Sequence, residues 1–405
     1  MRVLVSGASI AGPVLAYWLT RHGHEVTVVE RSPVLRKTGG HAIDLFKPAM
    51  DISEKMGVLP RIEAMATGID AMTMLREGAR RPVTVEVAKI VSAASDRHVE
   101  IMRDDLGEIY HEATRDDVEY VFGDSIASID ADSGEVTFEV GAPRRFDLVV
   151  GADGLHSNVR RLVFGEVEKL FTGAYLAVLS VPRELVGPNR MVGHIGPGRM
   201  ASVYRARHLD EARAVFFFRS ARELDYHHRD VPRQKRLLLA ALAGLHPQVD
   251  GWLEHLDGGG AFYFDSITQL RTDTWSRGRV ALTGDAAYCP GPAIGGSTSL
   301  AVVGAYVLAG ELSRGDSHTA AFARYEHEMR ELVHASRKFA LGTAKTLIPA
   351  TASGVWALTR GAQLFNALPT WLVRPLARLN TKGVRMHDSM RVRDYERQGA
   401  GVPAP

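Results

Sequence analysis

The sequence predicts an α/β protein, and three observations carry that expectation. Apolar, strand-like runs end in glycine-rich turns at Gly7, Gly151 and Gly284; helical segments follow those turns; and a long middle stretch carries further strand-like runs. The first element is RVLVSGASIAG, in which Val3, Leu4 and Val5 meet Gly7 and pass into an amphipathic segment from Pro13 to His22. This reads as strand, tight turn and helix. Two chemistries use that geometry. Gly7-x-Ser9-x-Ala11 approaches the nucleophile elbow of a hydrolase, with Ser9 as nucleophile. Gly7-x-Ser9-x-x-Gly12 is a Rossmann-like dinucleotide fingerprint with Ser at the middle glycine, where backbone amides from Ser9, Ile10 and Ala11 at a helix N-terminus hold a pyrophosphate.

The second strand, HEVTVVE from His24 to Glu30, weighs on that choice. It ends in an acid about 20 residues beyond the glycines, where a ribose hydroxyl needs an acceptor, and Arg31 follows it. A hydrolase elbow sits deep in its sheet, after several strands, whereas Ser9 follows the first. The dinucleotide reading is therefore favoured, with the nucleotide itself left open.

Composition bounds the rest. A chain of 405 residues implies two to three domains, and 45% hydrophobic with 24% charged residues is ordinary for a globular protein. With 49 basic residues against 47 acidic and a net charge of +2, there is no electrostatic case for a nucleic-acid partner. The single cysteine, Cys289, excludes an intramolecular disulfide and the usual zinc clusters, and it fits a reducing compartment. A strand starting at Arg2 leaves no room for a signal peptide, so a cytoplasmic location is expected. The apolar stretch from Leu347 to Leu379 is broken by Pro349, Arg360, Pro369, Arg374 and Pro375, and reads as packed helices with no membrane partner.

Two later stretches name the nucleotide. FDLVVGADGLHSNVRRLVFG, Phe146 to Gly165, is a buried strand, the turn Gly151-Ala152-Asp153-Gly154, and a helix. RVALTGDAAYCPGPAIGGSTSLAVVGAYVLAGEL, Arg279 to Leu312, is another strand, Gly284-Asp285, a Pro/Gly loop and a long apolar helix. A carboxylate at a strand end can accept hydrogen bonds from a polyol, and glycines after it let backbone amides approach a ring edge where negative charge develops.

With these in view, the sequence resembles the single-component FAD-dependent aromatic hydroxylases, the p-hydroxybenzoate hydroxylase class, in its N-terminal fingerprint, its central Asp153-Gly154 and its late Gly284-Asp285. The resemblance implies FAD as cofactor, with Asp285 on the ribityl chain and the loop through Pro292, Gly295, Gly296 and Ser297 along the pyrimidine edge. Arg103, in Met102-Arg103-Asp104-Asp105-Leu106, inherits a contact to the phosphate and ribityl region. The stretch Gly39 to Leu59 is similar to that of tetracycline-inactivating and polyketide-tailoring flavin monooxygenases.

The implied activity takes NADPH or NADH as a transient reductant and dioxygen as co-substrate. It hydroxylates an aromatic or enolic, polycyclic molecule through a flavin hydroperoxide. The chemistry is flavin-borne, so no catalytic side-chain set and no metal is required. An FAD-dependent reductase, or a flavoprotein that sequesters an aromatic ligand, stand as alternatives on the same architecture. Three residues depart from the family pattern: Ser9 for the middle glycine, Tyr288 where a His often follows Gly-Asp-Ala-Ala, and Ser297 for a glycine. Cys289 has no resolving partner for redox work.

The implied organisation is an FAD-binding domain from 1–69, 100–165 and 271–330, and a mixed-sheet substrate domain from 70–99 and 166–270. C-terminal helices and a tail occupy 331–405. Strand-like runs Tyr175 to Val181, Arg199 to Arg205 and Arg213 to Phe218 make the roof of the substrate site. Arg190, Tyr204 and Phe216 are the candidate substrate contacts, and Trp356, Phe365 and Trp371 could close a wide cleft. A monomer or weak homodimer is expected.

Overall fold

The fold is that of a computed structural model, described for residues 1–35, 40–87, 97–291, 296–369 and 390–396, the side chains of 343–345 excepted. Gly39, Pro292, Gly295, Trp371 and the tail from Gln398 lie outside the described residues. The chain runs β1 (Arg2–Ser6), α1 (Ala11–Arg21), β2 (Glu25–Glu30), β3 (Ala42–Phe46), α2 (Lys47–Lys55), α3 (Leu59–Ala64), β4 (Ala71–Arg76), β5 (Val83–Glu86), β6 (His98–Met102) and α4 (Arg103–Glu112). It continues through β7 (Glu119–Phe122), β8 (Ile126–Ile129), β9 (Glu135–Phe138), β10 (Arg144–Arg145), β11 (Leu148–Gly151) and α5 (Asn158–Phe164). Next come β12 (Glu168–Pro182), β13 (Arg190–Gly196), β14 (Arg199–Tyr204), β15 (Glu211–Arg219), α6 (Val231–Leu242), α7 (Pro247–Leu253) and β16 (Phe262–Arg271). The last elements are β17 (Ser276–Arg277), β18 (Val280–Leu282), α8 (Asp285–Tyr288), α9 (Ser297–Leu312), α10 (His318–Leu347) and α11 (Ala352–Ala367).

Two sheets dominate. The first has the order β17-β18-β11-β1-β2-β7, parallel except at β17. Val3, Leu4 and Val5 are fully buried, as a central parallel strand covered on both faces requires. Backbone geometry sets the first turn. A Cβ on Gly12 would lie 1.9 Å from the Gly7 carbonyl oxygen, so α1 can seat on the turn only with glycine there. Gly7 itself has φ 106° and packs against Ala152, which joins the fingerprint to the turn after β11. Helix α1 packs on α9, with Trp18 and Tyr306 rings edge to face at 4.8 Å.

The second sheet has the order β16-β12-β15-β14-β13-β4-β5, antiparallel except where β13 runs parallel to β4. Alternation divides its side chains between two cores. Phe216, Phe218, Ala201 and Val203 pack under α6 and α7 against Leu238, Leu242 and Trp252. Leu176, Val178, Tyr204, Val215 and Phe217 face the other way, toward Met102, Ala340 and Ile348. A small sheet of β8, β9 and β10 and the pair β3-β6 complete the strands.

Helix α10 starts at a Ser317 cap, whose hydroxyl accepts from the Ala320 amide at 3.3 Å, and runs unbroken through Leu347. Beyond α11, residues 390–396 return to the first sheet's helices. The Tyr395 hydroxyl donates to Glu311 at 2.8 Å and its amide to the Tyr306 hydroxyl at 3.0 Å. The ring lies over Gly310, where any Cβ would collide with it.

Candidate flavin site

The site forms where the carboxyl ends of β1, β2, β11 and β18 meet the underside of the second sheet, the ordinary ligand position for a parallel sheet. At the first turn the amide of Ala8 donates to Glu30 Oε2 at 3.0 Å, and that of Ser32 to Oε1 at 2.9 Å. Glu30 thus holds the fingerprint to the end of β2 and keeps lone pairs for a ribose. The amides of the first turn of α1, which begins at Ala11 after Ile10, have no intrahelical acceptor, the kind of unpaired donors that a helix N-terminus offers an anion. Arg31 is turned aside, with its guanidinium on the Ser125 hydroxyl at 3.0 Å.

The central turn is structural in its contacts. Asp153 accepts from the Ser157 hydroxyl at 2.5 Å and from the amides of Asn158 and Val159 at 2.8 and 3.1 Å, which caps α5. Burial pushes its carboxyl above the usual range, against those bonds. Gly154, at φ 79°, has open space where a Cβ would stand. Arg160, a residue sequence reasoning gave no role, is buried and donates to the Ala286 carbonyl at 2.8 Å and the Leu155 carbonyl at 2.6 Å. It ties the central turn to the late one. Its position in the first turns of a helix after the Asp-Gly pair was the signal available.

At the late turn Gly284 has φ 62°, and a Cβ there would press on Ala11 and Ala301, so the turn, α1 and α9 converge on one glycine. Asp285 follows, partly accessible while Ala286, Ala287 and Tyr288 are buried. Burial raises its carboxyl, opposed by the charge of Arg103 and a bond from Cys289. Donation from a polyol would favour its ionised form. Arg103 opens α4: its amide donates to the His41 carbonyl at 3.1 Å, and its guanidinium reaches the Ser9 hydroxyl at 3.4 Å. Helix α9 begins at Ser297 after Gly296, which has φ 89°, the left-handed geometry that glycine takes at no steric cost.

Tyr288 is 1% exposed, with its hydroxyl 3.2 Å from both Thr283 and Tyr325 and lodged against Gly304, so it fills the first sheet's core and faces away from the site. Cys289 is fully buried, and burial together with Asp285 pushes its thiol well up, the opposite of a reactive cysteine.

Overhead stands the second face of the seven-stranded sheet. Tyr263 and His41, neither foreseen, meet with ring centroids 6.1 Å apart at the border between the two sheets. His41 is pushed down to about 4 by burial and then by Arg103, so it is neutral at neutral pH. Of the three expected substrate contacts, only Tyr204 lies on this face, and its hydroxyl accepts the Ala42 amide at 2.6 Å, pinning β3 to the sheet. Phe216 is one residue out of phase: it packs under α6 and α7, and Phe217 and Val215 take the site-facing positions. Arg190 is exposed at the start of β13 and, by alternation with Met191, is directed away from this face.

Glycine-shaped turns at the ends of parallel strands, two helix N-termini and carboxylates at the strand ends are the marks of a dinucleotide-binding protein. The FAD binding domain family matches residues 1–216, and the chain belongs to that family as an FAD-dependent monooxygenase of the aromatic hydroxylase type. It is 44% identical over 342 residues to an uncharacterized protein of Mycobacterium tuberculosis (strain ATCC 25618 / H37Rv), covering 82% of this chain and 90% of that one. A flavin-dependent monooxygenase of Legionella longbeachae serogroup 1 (strain NSW150) is 35% identical over 353 residues, 86% of this chain and 90% of its own. Among solved structures, the tetracycline destructase Tet(51) superposes with a TM-score of 0.81 at 30% identity, covering 97% of this chain and 99% of that one. Among the described residues no helix is long and apolar enough to cross a membrane, and no group of side chains could hold a metal ion.

Proposed function

We propose that the protein uses NAD(P)H and dioxygen to hydroxylate an electron-rich aromatic or enolic carbon of a polycyclic molecule. One observation supports the reading: the apolar cluster of Leu176, Val178, Met200, Val215 and Phe217, with Ala340 and Ile348, also takes in Ala42 and Met102, the chain neighbours of His41 and Arg103, and Arg103 acts in turn on Asp285. Such a wall holds a flat, apolar ligand and keeps water away from it. The similarity to a tetracycline destructase supports a multi-ring substrate.

FAD, when bound, takes two electrons from the nicotinamide and activates dioxygen for transfer to carbon. The chain's residues hold and orient it. Ser9, Ile10, Ala11 and Gly12 present amides to the pyrophosphate, Gly7 shapes the turn with its own amide spent on the Val29 carbonyl at 2.8 Å, and Glu30 accepts from the adenosine ribose. Arg103 and Asp285 take the phosphate and ribityl region, and Gly296 and Ser297 present the α9 N-terminus to the pyrimidine edge, where its dipole favours negative charge.

The test is anaerobic reduction of the purified yellow protein followed by oxygen, with polycyclic phenols, tetracyclines and simple hydroxybenzoates as the panel. Substrate-stimulated NAD(P)H oxidation and a product one oxygen heavier are expected from a polycycle. Reduction without oxygen incorporation would make the protein a reductase, ligand binding without NAD(P)H oxidation would make it a sequestering flavoprotein, and turnover of hydroxybenzoates alone would refute the wide site.

A further inference from the structure

We propose that Tyr263, Asp265 and His156 form a proton path between the flavin site and solvent. The inference rests on the function proposed above, whose stoichiometry demands such a path. Hydroxylation of RH follows RH + O2 + NAD(P)H + H+ → ROH + NAD(P)+ + H2O, so one proton enters a cavity that must otherwise exclude water.

Tyr263 and Asp265 are two apart on β16 and so share one face of the strand. The Tyr263 hydroxyl lies 3.5 Å from Asp265 Oδ2, and His156 Nε2 is 3.0 Å from that same oxygen. The two ends of the row differ in exposure. At the inner end, the Tyr263 ring meets His41, and Asp265, Arg103 and Asp285 lie close enough to act on its ionisation. At the outer end, the His156 side chain is 38% exposed and lines an open cavity of about 190 Å³ with His227, His228, Lys169, Glu223 and Tyr226. Asp265 between them is 6% exposed, and its other oxygen accepts the Ser266 amide at 2.9 Å.

In each transfer His156 gives its Nε2 proton to Asp265 Oδ2. Asp265 passes a proton to the Tyr263 oxygen while the Tyr263 O–H proton goes to the oxygen being reduced, and His156 regains its proton from solvent. Every group returns to its starting state. Burial, then Asp265, pushes the Tyr263 hydroxyl well up against Arg103, so tyrosine carries the proton only in a concerted hop and is never left as tyrosinate. The charged groups around His156 are Asp265 on β16, Lys169 on β12, and Glu223, His227, His228 and Arg229 on the segment before α6. The His228 ring stacks on His156 at 4.5 Å and is pushed down to about 4 by burial and then by His156, His227 and Arg229, which leaves it neutral.

The experiment needs no substrate, because reoxidation of reduced FAD by oxygen to hydrogen peroxide also consumes one proton when the reduced flavin is anionic. Anaerobically reduced holoprotein is mixed with oxygen and a pH indicator in a stopped-flow instrument, from pH 6 to 9, for wild type, His156→Ala, Asp265→Asn and Tyr263→Phe. Proton uptake is expected to slow at least tenfold in each variant, most at high pH, with the FAD dissociation constant unchanged in His156→Ala. Added imidazole restores His156→Ala and leaves the other two slow. In FAD-free protein, Asp265→Asn shifts the His156 ring signals in a ¹⁵N spectrum and leaves those of His194 and His246 in place. Uptake by His156→Ala at the wild-type rate across the pH range would overturn the path, as would a slowed His156→Ala that imidazole fails to rescue. The function proposed above fails separately, if no polycycle gains oxygen from the wild-type enzyme.

Discussion

In the six-stranded sheet the groups gathered at the carboxyl ends of the parallel strands are backbone amides and two carboxylates, Glu30 after β2 and Asp285 after β18. In the seven-stranded sheet the facing groups are side chains from β12, β14, β15 and β16, brought level by antiparallel register across residues 176 to 263. The first arrangement tolerates no side chain at Gly12, because the Gly7 carbonyl occupies the space a Cβ would need. The second tolerates many, because any apolar residue of suitable volume can line a wall. A glycine-built cradle therefore specifies the cofactor narrowly, and a sheet face leaves the substrate adjustable.

That contrast breaks most sharply at Gly12. Gly12→Ala places a methyl 1.9 Å from the Gly7 carbonyl oxygen, so α1 must lift from β1, and a colourless protein with a collapsed melting transition is expected. A yellow protein with wild-type Tm would show that the turn is not the cradle. Next in size is the pair Phe216→Ala and Phe217→Ala, which tests the two faces of β15. Phe216, fully buried under α6 and α7, should cost about 3 to 5 kcal/mol of stability in urea unfolding. Phe217→Ala should cost less and instead raise the KM for a polycyclic substrate. A reversal of the two effects would put the substrate on the other face.

Asp285→Ala comes third. Charge-assisted bonds contribute about 1.5 to 3 kcal/mol each, so FAD retention should weaken tenfold or more, read as a rise in Kd by flavin fluorescence. Full flavin occupancy in the variant would remove Asp285 from the cradle. Smallest is Ser9→Ala, since the hydroxyl makes only a 3.4 Å contact to Arg103, and turnover and FAD content should stay within about threefold of wild type. Complete loss of turnover with FAD still bound would restore the nucleophile reading of the opening motif.

The legible half of the site was the half made of short-range geometry. Gly7, Gly12 and Gly284 could be read because a positive φ or a close backbone approach admits few other residues, and the requirement is met within a few positions of chain. Their partners were less legible. The Asp-Gly pair marks the family resemblance, while in the fold Asp153 caps α5 and the tie between the two turns falls to Arg160. Tyr288 looked like an altered site residue and is a core residue, because Gly304, sixteen positions later, opens the slot it fills.

Sequence by itself determined the strand, turn and helix order and the glycine-shaped turns, since each depends on local backbone sterics and on apolar periods of 2 and 3.6, while the cofactor followed from the resemblance of three motifs to a known family. Only the tertiary structure decided which side of β15 meets the substrate, that His41 and Tyr263 face each other, and that Asp265 lies between Tyr263 and His156. A one-residue phase shift exchanges the two faces of a strand without changing its composition, and when both faces are apolar, as at Val215, Phe216 and Phe217, no pattern in the chain separates them. His156 and Asp265 are 109 positions apart, and what joins them is the packing of one sheet's turn against the other sheet's edge.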